Sequence, residues 1–301
     1  MKRISLTRRA VCVSDIHGHV DLLDRLLGTA GYTDRDTLLI LGDIYLKGPR
    51  PEETLRRVME LSRAPGVHVL RGNCDDIMDW MTPEEAAWVE GLPHVIDAGD
   101  FVFVHGGLPS EDLDGLDAWA CMKNDNFLAK CPAFSRWLVV GHYPTFNYCY
   151  QIPCHNPILS AEKRVASIDG GCQIKRHGQL NALIIEDGAF SFEVADGLPR
   201  IRMTEARAGR GGTLNIVWDH RTVEMVSRGG EFSTVRHMET GTEVEIPTAY
   251  IFREQNGRLS GCGFGTDYFL PVAAGETVSV ADEFSDRYLA KKNGVAGWVM
   301  K

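Results

Sequence analysis

The sequence predicts an α/β domain followed by a small all-β domain, and three observations carry that division. Up to about Ala195, short runs of strand-forming residues alternate with segments of helical period. From Asp196 to Gly212 the chain holds Gly, Pro, many arginines and the pair Gly211-Gly212 with little apolar periodicity, as a linker does. From Thr213 onward the runs are short, rich in Val, Tyr, Phe and Thr, and separated by turn residues. The expected organisation is therefore residues 1–195, a linker at 196–212, and a β-domain at 213–301.

Within the first part, Val11–Val13, Leu38–Leu41, Val67–Leu70, Phe101–Val104 and Trp137–Val140 are apolar runs of strand length. The segments from Val20 to Ala30 and from Pro51 to Ser62 have helical period, and the second opens with Pro51 and two glutamates, as a helix start should. In the last part, Asn293-Gly294 between Arg287–Lys292 and Val295–Met300 predicts a tight hairpin. The stretches Gly275 to Val280 and Asn293 to Val299 resemble the end of a Src-homology-three-like barrel over some thirty residues.

Composition narrows the class. A chain of 301 residues with 44% hydrophobic and 24% charged content is ordinary globular material. No apolar run approaches the roughly 18 residues of a membrane span, and the stretch from Met1 to Arg9 lacks the apolar core of a signal peptide, so a cytoplasmic location is expected. The eight cysteines (Cys12, Cys74, Cys121, Cys131, Cys149, Cys154, Cys172 and Cys262) form no CxxC pair and read as reduced thiols. A formal net charge of −9 disfavours long-range attraction to nucleic acid or anionic membranes.

Each of the five apolar runs ends, within a few residues, in a side chain able to bind a metal: Asp15 and His17, Asp43, Asn73, His105, and His142. In open α/β sheets ligands bind beyond the carboxyl ends of strands, so residues far apart in sequence converge there. Gly18, Gly42, Gly72, Gly106, Gly107 and Gly141 adjoin these positions, as expected where backbone must approach a metal or phosphate closely.

The motifs Asp15-Ile-His17-Gly18, Gly42-Asp43 with Gly48, Gly72-Asn73, His105-Gly-Gly-Leu108, Gly141-His142 and Ile168-Asp169-Gly170-Gly171-Cys172 occur in one order. In them the chain, from about Ala10 to Ala195, resembles the calcineurin-like metallophosphoesterases, and among these the phosphoprotein phosphatases. The resemblance implies a β-sandwich flanked by helices and two divalent metals, with Asp15, His17 and Asp43 on one, and Asp43, Asn73, His105 and His142 on the other. It further implies direct attack of a metal-bound hydroxide on phosphorus. The mixed donor set suits Mn, Fe or Zn. Two such ions with two carboxylates and a hydroxide leave a shell of about +1, which attracts a phosphoryl group despite the acidic chain.

Family members place two arginines on the phosphate; here Lys47 and Lys123 stand near those positions, with Asn73 and Arg71 as further phosphate contacts. The usual Gly-Asn-His-Glu is Gly72-Asn73-Cys74-Asp75, and Leu46 replaces the aspartate that would pair with that histidine. The usual general acid is therefore absent, and His19, His155 and His177 stand either as substitutes or as solvent-facing residues. Cys74 reads either as a reactive thiol beside the metals or as buried filler, and Asp169 either as a partner orienting His17 or His142 or as a turn former. Symmetrical dinucleoside tetraphosphatases resemble the chain through Gly42 to Pro49, and some small phosphodiesterases carry Gly-Asn-Cys-Asp.

The first expectation is a two-metal phosphatase of the serine/threonine type acting on a phosphoprotein or small phosphomonoester, with no nucleic-acid or membrane partner and a β-domain that contacts a protein or peptide. The alternatives are a phosphodiesterase or dinucleoside polyphosphate hydrolase, and a pseudophosphatase that only binds.

Overall fold

In the computed structural model, which describes residues 1–261 and 264–301, the chain divides into two compact units. Cys262 lies outside the described residues; the other seven cysteines are free thiols. The first unit comprises residues 1–145, 156–174 and 178–197, and the second residues 146–155, 175–177 and 198–301.

The first unit is a sandwich of two sheets. In one, Arg9–Val13, Thr37–Ile40 and Val67–Val69 run parallel, and Leu180–Glu186 and Ala189–Ala195 add antiparallel strands beside Arg9–Val13. In the other, Phe101–Val104, Trp137–Val140 and Val165–Ser167 are parallel, with Val95–Asp97 and Ile158–Ser160 antiparallel at either side.

Successive residues of a strand face opposite ways, and the central strands are apolar on both faces. Ala10 and Cys12 join Leu39, Phe103, Val139 and Leu183 in the layer between the sheets. Val11 and Val13 turn outward, against Leu23, Leu26, Leu55 and Val58 of the helices Val20–Thr29 and Pro51–Leu61. Val102, Val104, Leu138 and Val140 cover the opposite outer face with Cys121, Phe127 and Phe134. Burial on both faces is why these strands read as continuous apolar runs rather than as alternating ones.

The second unit is almost entirely antiparallel β-structure. One sheet orders Arg200–Arg202, Thr277–Glu283, Arg287–Lys292 and Val295–Met300; the other orders Glu243–Pro247, Phe232–His237, Thr222–Ser227, Leu259–Gly261 and Ile251–Arg253. At the hairpin Asn293 and Gly294 both take positive φ, 51° and 77°, the conformation that a two-residue turn of matching twist requires. Residues 200–202, within the stretch expected to link the domains, are thus a strand of this unit. No helix among the described residues is long and apolar enough to cross a membrane.

Candidate metal centre

The strand ends of the first unit continue pairing beyond their last regular residues, and this brings the polar loops together. Asp15 N donates to Gly42 O (3.1 Å), His17 N to Asp43 O (2.9 Å) and Gly18 N to Ile44 O (2.9 Å). Gly141 N likewise donates to His105 O at 2.8 Å. Two glycines are fixed by lack of space: a Cβ on Gly72 would lie 2.2 Å from Asp43 Oδ1, and one on Gly141 would lie 1.9 Å from Ser14 Oγ. Asp15, His17, Asp43 and His142 themselves hold positive φ of 55°, 46°, 52° and 66°. Such backbone is costly for residues with a Cβ and persists where the surrounding structure over-determines it, typically at functional sites.

Asp43 sits at the centre. Its Oδ2 is 3.7 Å from His17 Nε2, and its Oδ1 is 3.2 Å from His105 Nε2. His17 Nε2 is also 3.8 Å from Asp15 Oδ1, and His105 Nε2 is 3.2 Å from Asn73 Oδ1. Donor atoms bound at about 2.1 Å to one ion stand no more than about 4.2 Å apart, so these spacings fit. Asp15, His17 and Asp43, all buried, bring ligand atoms within 4.8 Å of one another and form a metal-binding triad. His105 and His142 follow with ring centroids 5.3 Å apart.

The outer contacts prepare these atoms for a cation. His17 Nδ1 donates to Leu46 O (3.0 Å) and His105 Nδ1 to Leu41 O (2.6 Å), which leaves each Nε2 as the nitrogen turned toward Asp43. Asp15 Oδ2 accepts from Ser14 Oγ (2.5 Å) and from His142 N (2.9 Å), so Oδ1 is the oxygen left facing His17. Burial opposes charge on His105, yet Asp43 overcomes it and pushes the imidazole up to about 10. Asp43, in spite of its burial, is held below the usual carboxylate range by His105 and His17. Burial lowers His17. A field that keeps a proton on a fully buried imidazole favours any cation, and a metal would displace that proton.

Other expected residues are distributed around this core. Burial pulls the Lys47 ammonium down, but the Cys74 thiol and the carboxylates of Asp43 and Asp15 outweigh it and raise it above its ordinary value, so its charge faces the cluster. Lys123 Nζ lies 3.4 Å from His142 Nε2 and 2.6 Å from Asp125 Oδ1. Arg71 Nε donates to Asp75 O at 3.1 Å, tying the guanidinium to its own loop. Burial and the Asp43 charge push the Cys74 thiol up to about 12, which makes it a protonated group in the metal-free chain and not a thiolate. His19 Nε2 rests 3.0 Å from Gln173 Oε1. Asp169 Oδ1 accepts from Gly171 N at 2.7 Å, closing its own turn. His155 and His177 are not solvent-facing: both are fully buried in the second unit, 2.6 Å apart through Nε2 and Nδ1, beside Phe146 and Phe264.

Two residues carry roles that the sequence reading did not assign. Asp75, fully buried, accepts from Asp43 N (2.9 Å), Ile44 N (2.7 Å) and Gly72 N (2.7 Å), and so locks the two loops that carry Asp43 and Asn73. Burial and the neighbouring Asp43 charge push its carboxyl up to about 7. Asp125 Oδ1 stands 2.7 Å from His142 Nε2. Asp75 closes the Gly72-Asn73-Cys74-Asp75 motif, but nothing in that motif gives its hydrogen bonds to the Asp43 loop.

Comparison with known proteins identifies the family. A model of the calcineurin-like phosphoesterases matches residues 8–165, just over half of the chain, and the chain belongs to that family. A symmetrical bis(5'-nucleosyl)-tetraphosphatase of Acidovorax ebreus (strain TPSY) is 45% identical over 65 residues, 21% of this chain and 22% of that protein. Phosphodiesterase YfcE of Escherichia coli (strain K12) is 31% identical over 116 residues, 35% of this chain and 60% of that protein. The chain thus spans about a fifth of the first relative and less than two thirds of the second. A solved structure described as a candidate diadenosine tetraphosphatase shares the fold, with TM-score 0.53 and 18% identity over 65% of this chain and 98% of that one. These curated relatives are named for a nucleotide and for diester hydrolysis, and neither for a phosphoprotein. The expectation of a phosphoprotein partner, with nucleic-acid chemistry excluded, is corrected accordingly.

Proposed function

We propose that this calcineurin-like phosphoesterase hydrolyses phosphoanhydride or phosphodiester bonds of small nucleotide substrates, dinucleoside polyphosphates first among them, at a centre of two divalent cations. The observation that carries the reading is the division of Asp43, with Oδ2 toward His17 and Oδ1 toward His105. Asp15, His17 and Asp43 would hold one cation, and Asp43, Asn73, His105 and His142 the other. The donor set suits Mn, Fe or Zn better than a thiolate-seeking metal. Such cations, when bound, acidify water and polarise phosphoryl oxygens.

The chain's own residues set the rest. The carbonyls of Leu46 and Leu41 orient His17 and His105, and Asp75 holds the loop of Asp43 rigid. Lys47 offers a fixed positive charge to the phosphoryl oxygens on one side and Lys123 on the other. On the departing side, Cys74 and the apolar Leu46 stand where family members carry an imidazole and its orienting carboxylate, so that proton-donating pair is missing. A leaving group must therefore depart as a stable anion, which phosphates and nucleotides do and alkoxides do not. The names of the tetraphosphatase and phosphodiesterase relatives support the same class.

The test is turnover by the purified protein with added Mn²⁺ on diadenosine tetraphosphate, bis-p-nitrophenyl phosphate and p-nitrophenyl phosphate. The reading expects kcat/KM to fall in that order and to vanish on chelation. A preference for the monoester, or turnover that survives chelation, would overturn it.

A further inference from the structure

The most exposed large apolar side chain among the described residues is Trp119, at 57% relative exposure. It stands on the short helix Ala118–Met122, whose Cys121 and Met122 are buried in the core while Trp119 turns outward. The helix is pinned to the candidate centre. Gly106 N and Gly107 N both donate to Cys121 O (2.7 and 3.2 Å), and a Cβ on Gly106 would lie 2.6 Å from Met122 O. The backbone after His105 is thus in direct contact with the end of this helix.

Lys123, the extended residue that caps this helix, donates its N–H to Trp119 O at 2.7 Å, one turn back along the chain. Lys123 Nζ in turn reaches His142 Nε2 at 3.4 Å, with Asp125 Oδ1 bonded to both groups. An exposed indole thus stands one turn before an ammonium that reaches a candidate metal ligand, the order in which a nucleotide carries its base and its phosphate.

We infer that Trp119 is the stacking platform for a nucleobase of the substrate, with Lys123 beneath the adjoining phosphate. The inference rests on the nucleotide reading above and adds the residue that distinguishes a nucleotide from a bare polyphosphate. Stacking of a base on an aromatic side chain is lost on alanine substitution with roughly a 5- to 150-fold weakening.

The experiment compares wild type, Trp119→Ala and Trp119→Phe in the Mn²⁺-loaded protein. The first readout is the ratio of kcat/KM for diadenosine tetraphosphate to that for inorganic tripolyphosphate, which carries no base. The second is the Kd of ADP by calorimetry on the chelated protein, independent of turnover. The inference expects the ratio to fall about tenfold or more in Trp119→Ala through KM, ADP to weaken in parallel, and Trp119→Phe to restore most of both. An equal loss on both substrates, or ADP binding that is undetectable in the wild type or unchanged in Trp119→Ala, overturns it. Failure of the wild type to hydrolyse diadenosine tetraphosphate would refute the functional reading instead, while the ADP titration still decides on the platform.

Discussion

Replacing Asp75 by asparagine tests whether the centre depends on a residue that touches no expected ligand side chain. Its Oδ2 takes Asp43 N and Gly72 N, and its Oδ1 takes Ile44 N, all at 2.7 to 2.9 Å in a fully buried position. Asparagine keeps one acceptor oxygen. If that oxygen keeps the first pair, the new NH₂ group faces Ile44 N, donor against donor. A buried donor left without its partner costs about 1–3 kcal/mol, which in a unit of this size lowers the melting temperature by roughly 2–12 °C. Loosening of the Asp43 loop should weaken Mn²⁺ binding about 10–100-fold, the usual cost of losing an outer hydrogen-bond partner. The pH dependence is a second signature. In the metal-free chain the folded carboxyl is pushed up to about 7, by burial first and Asp43 second, whereas an unfolded aspartate titrates near about 3.9. The stability this group contributes is complete below the unfolded value and is lost as pH rises through the folded one. The metal-free wild type should therefore lose stability between those limits, and Asp75→Asn should lose less. Melting curves and Mn²⁺ titrations from pH 4 to 8 check both. Wild-type melting and Mn²⁺ affinity in the variant would refute the assigned role.

Three further outcomes follow from the same contacts. The double change Cys74→His with Leu46→Asp should flatten the dependence of rate on leaving-group pKa, raising alkyl ester hydrolysis toward the roughly 10²–10⁴-fold worth of a general acid; an unchanged slope in steady-state kinetics would count against the missing-acid account. Asp267 accepts from Gly212 N, Thr213 N and Leu214 N, and although burial raises its carboxyl, the Thr213 hydroxyl and these amides hold it below the usual range. Asp267→Ala should cost the second unit about 1–3 kcal/mol by denaturant unfolding above pH ~4 and progressively less as pH falls through the folded value. A chain ending at Ala195 would retain residues 146–155 and 175–177 without the rest of their unit, exposing Phe146, His155 and His177. It should bind a hydrophobic dye that the full chain does not, and equal dye fluorescence would show that those segments refold elsewhere.

Much of the first unit is legible in the sequence because buried parallel strands are written as continuous apolar runs, and a glycine beside a polar residue marks where each run ends. Asp15, His17, Asp43, Asn73, His105 and His142 stand at those ends for that reason. Asp75 is different: its place in the Gly72-Asn73-Cys74-Asp75 motif is legible, but its role comes from bonds to Asp43 N and Ile44 N, some thirty residues away, which no local pattern encodes. Asp125 likewise reads as one exposed acid among many. His155 and His177 carry polar side chains in a stretch without apolar periodicity and so read as surface residues. They are buried because each satisfies a ring nitrogen of the other among aromatic rings. The assignment of residues 146–155 to the second unit depends on long-range pairing such as Cys154 with Val295, invisible to any window of sequence.

The central claim is that Asp43 joins two cations in one centre, and it is tested most directly by titrating the metal-free protein with Mn²⁺ while recording its paramagnetic resonance spectrum. The account predicts saturation at two equivalents with a spin-coupled pair, and in Asp43→Asn the loss of that coupling together with turnover. Saturation at one equivalent with the signal of an isolated ion, or an Asp43→Asn variant that keeps the coupled pair, would contradict it.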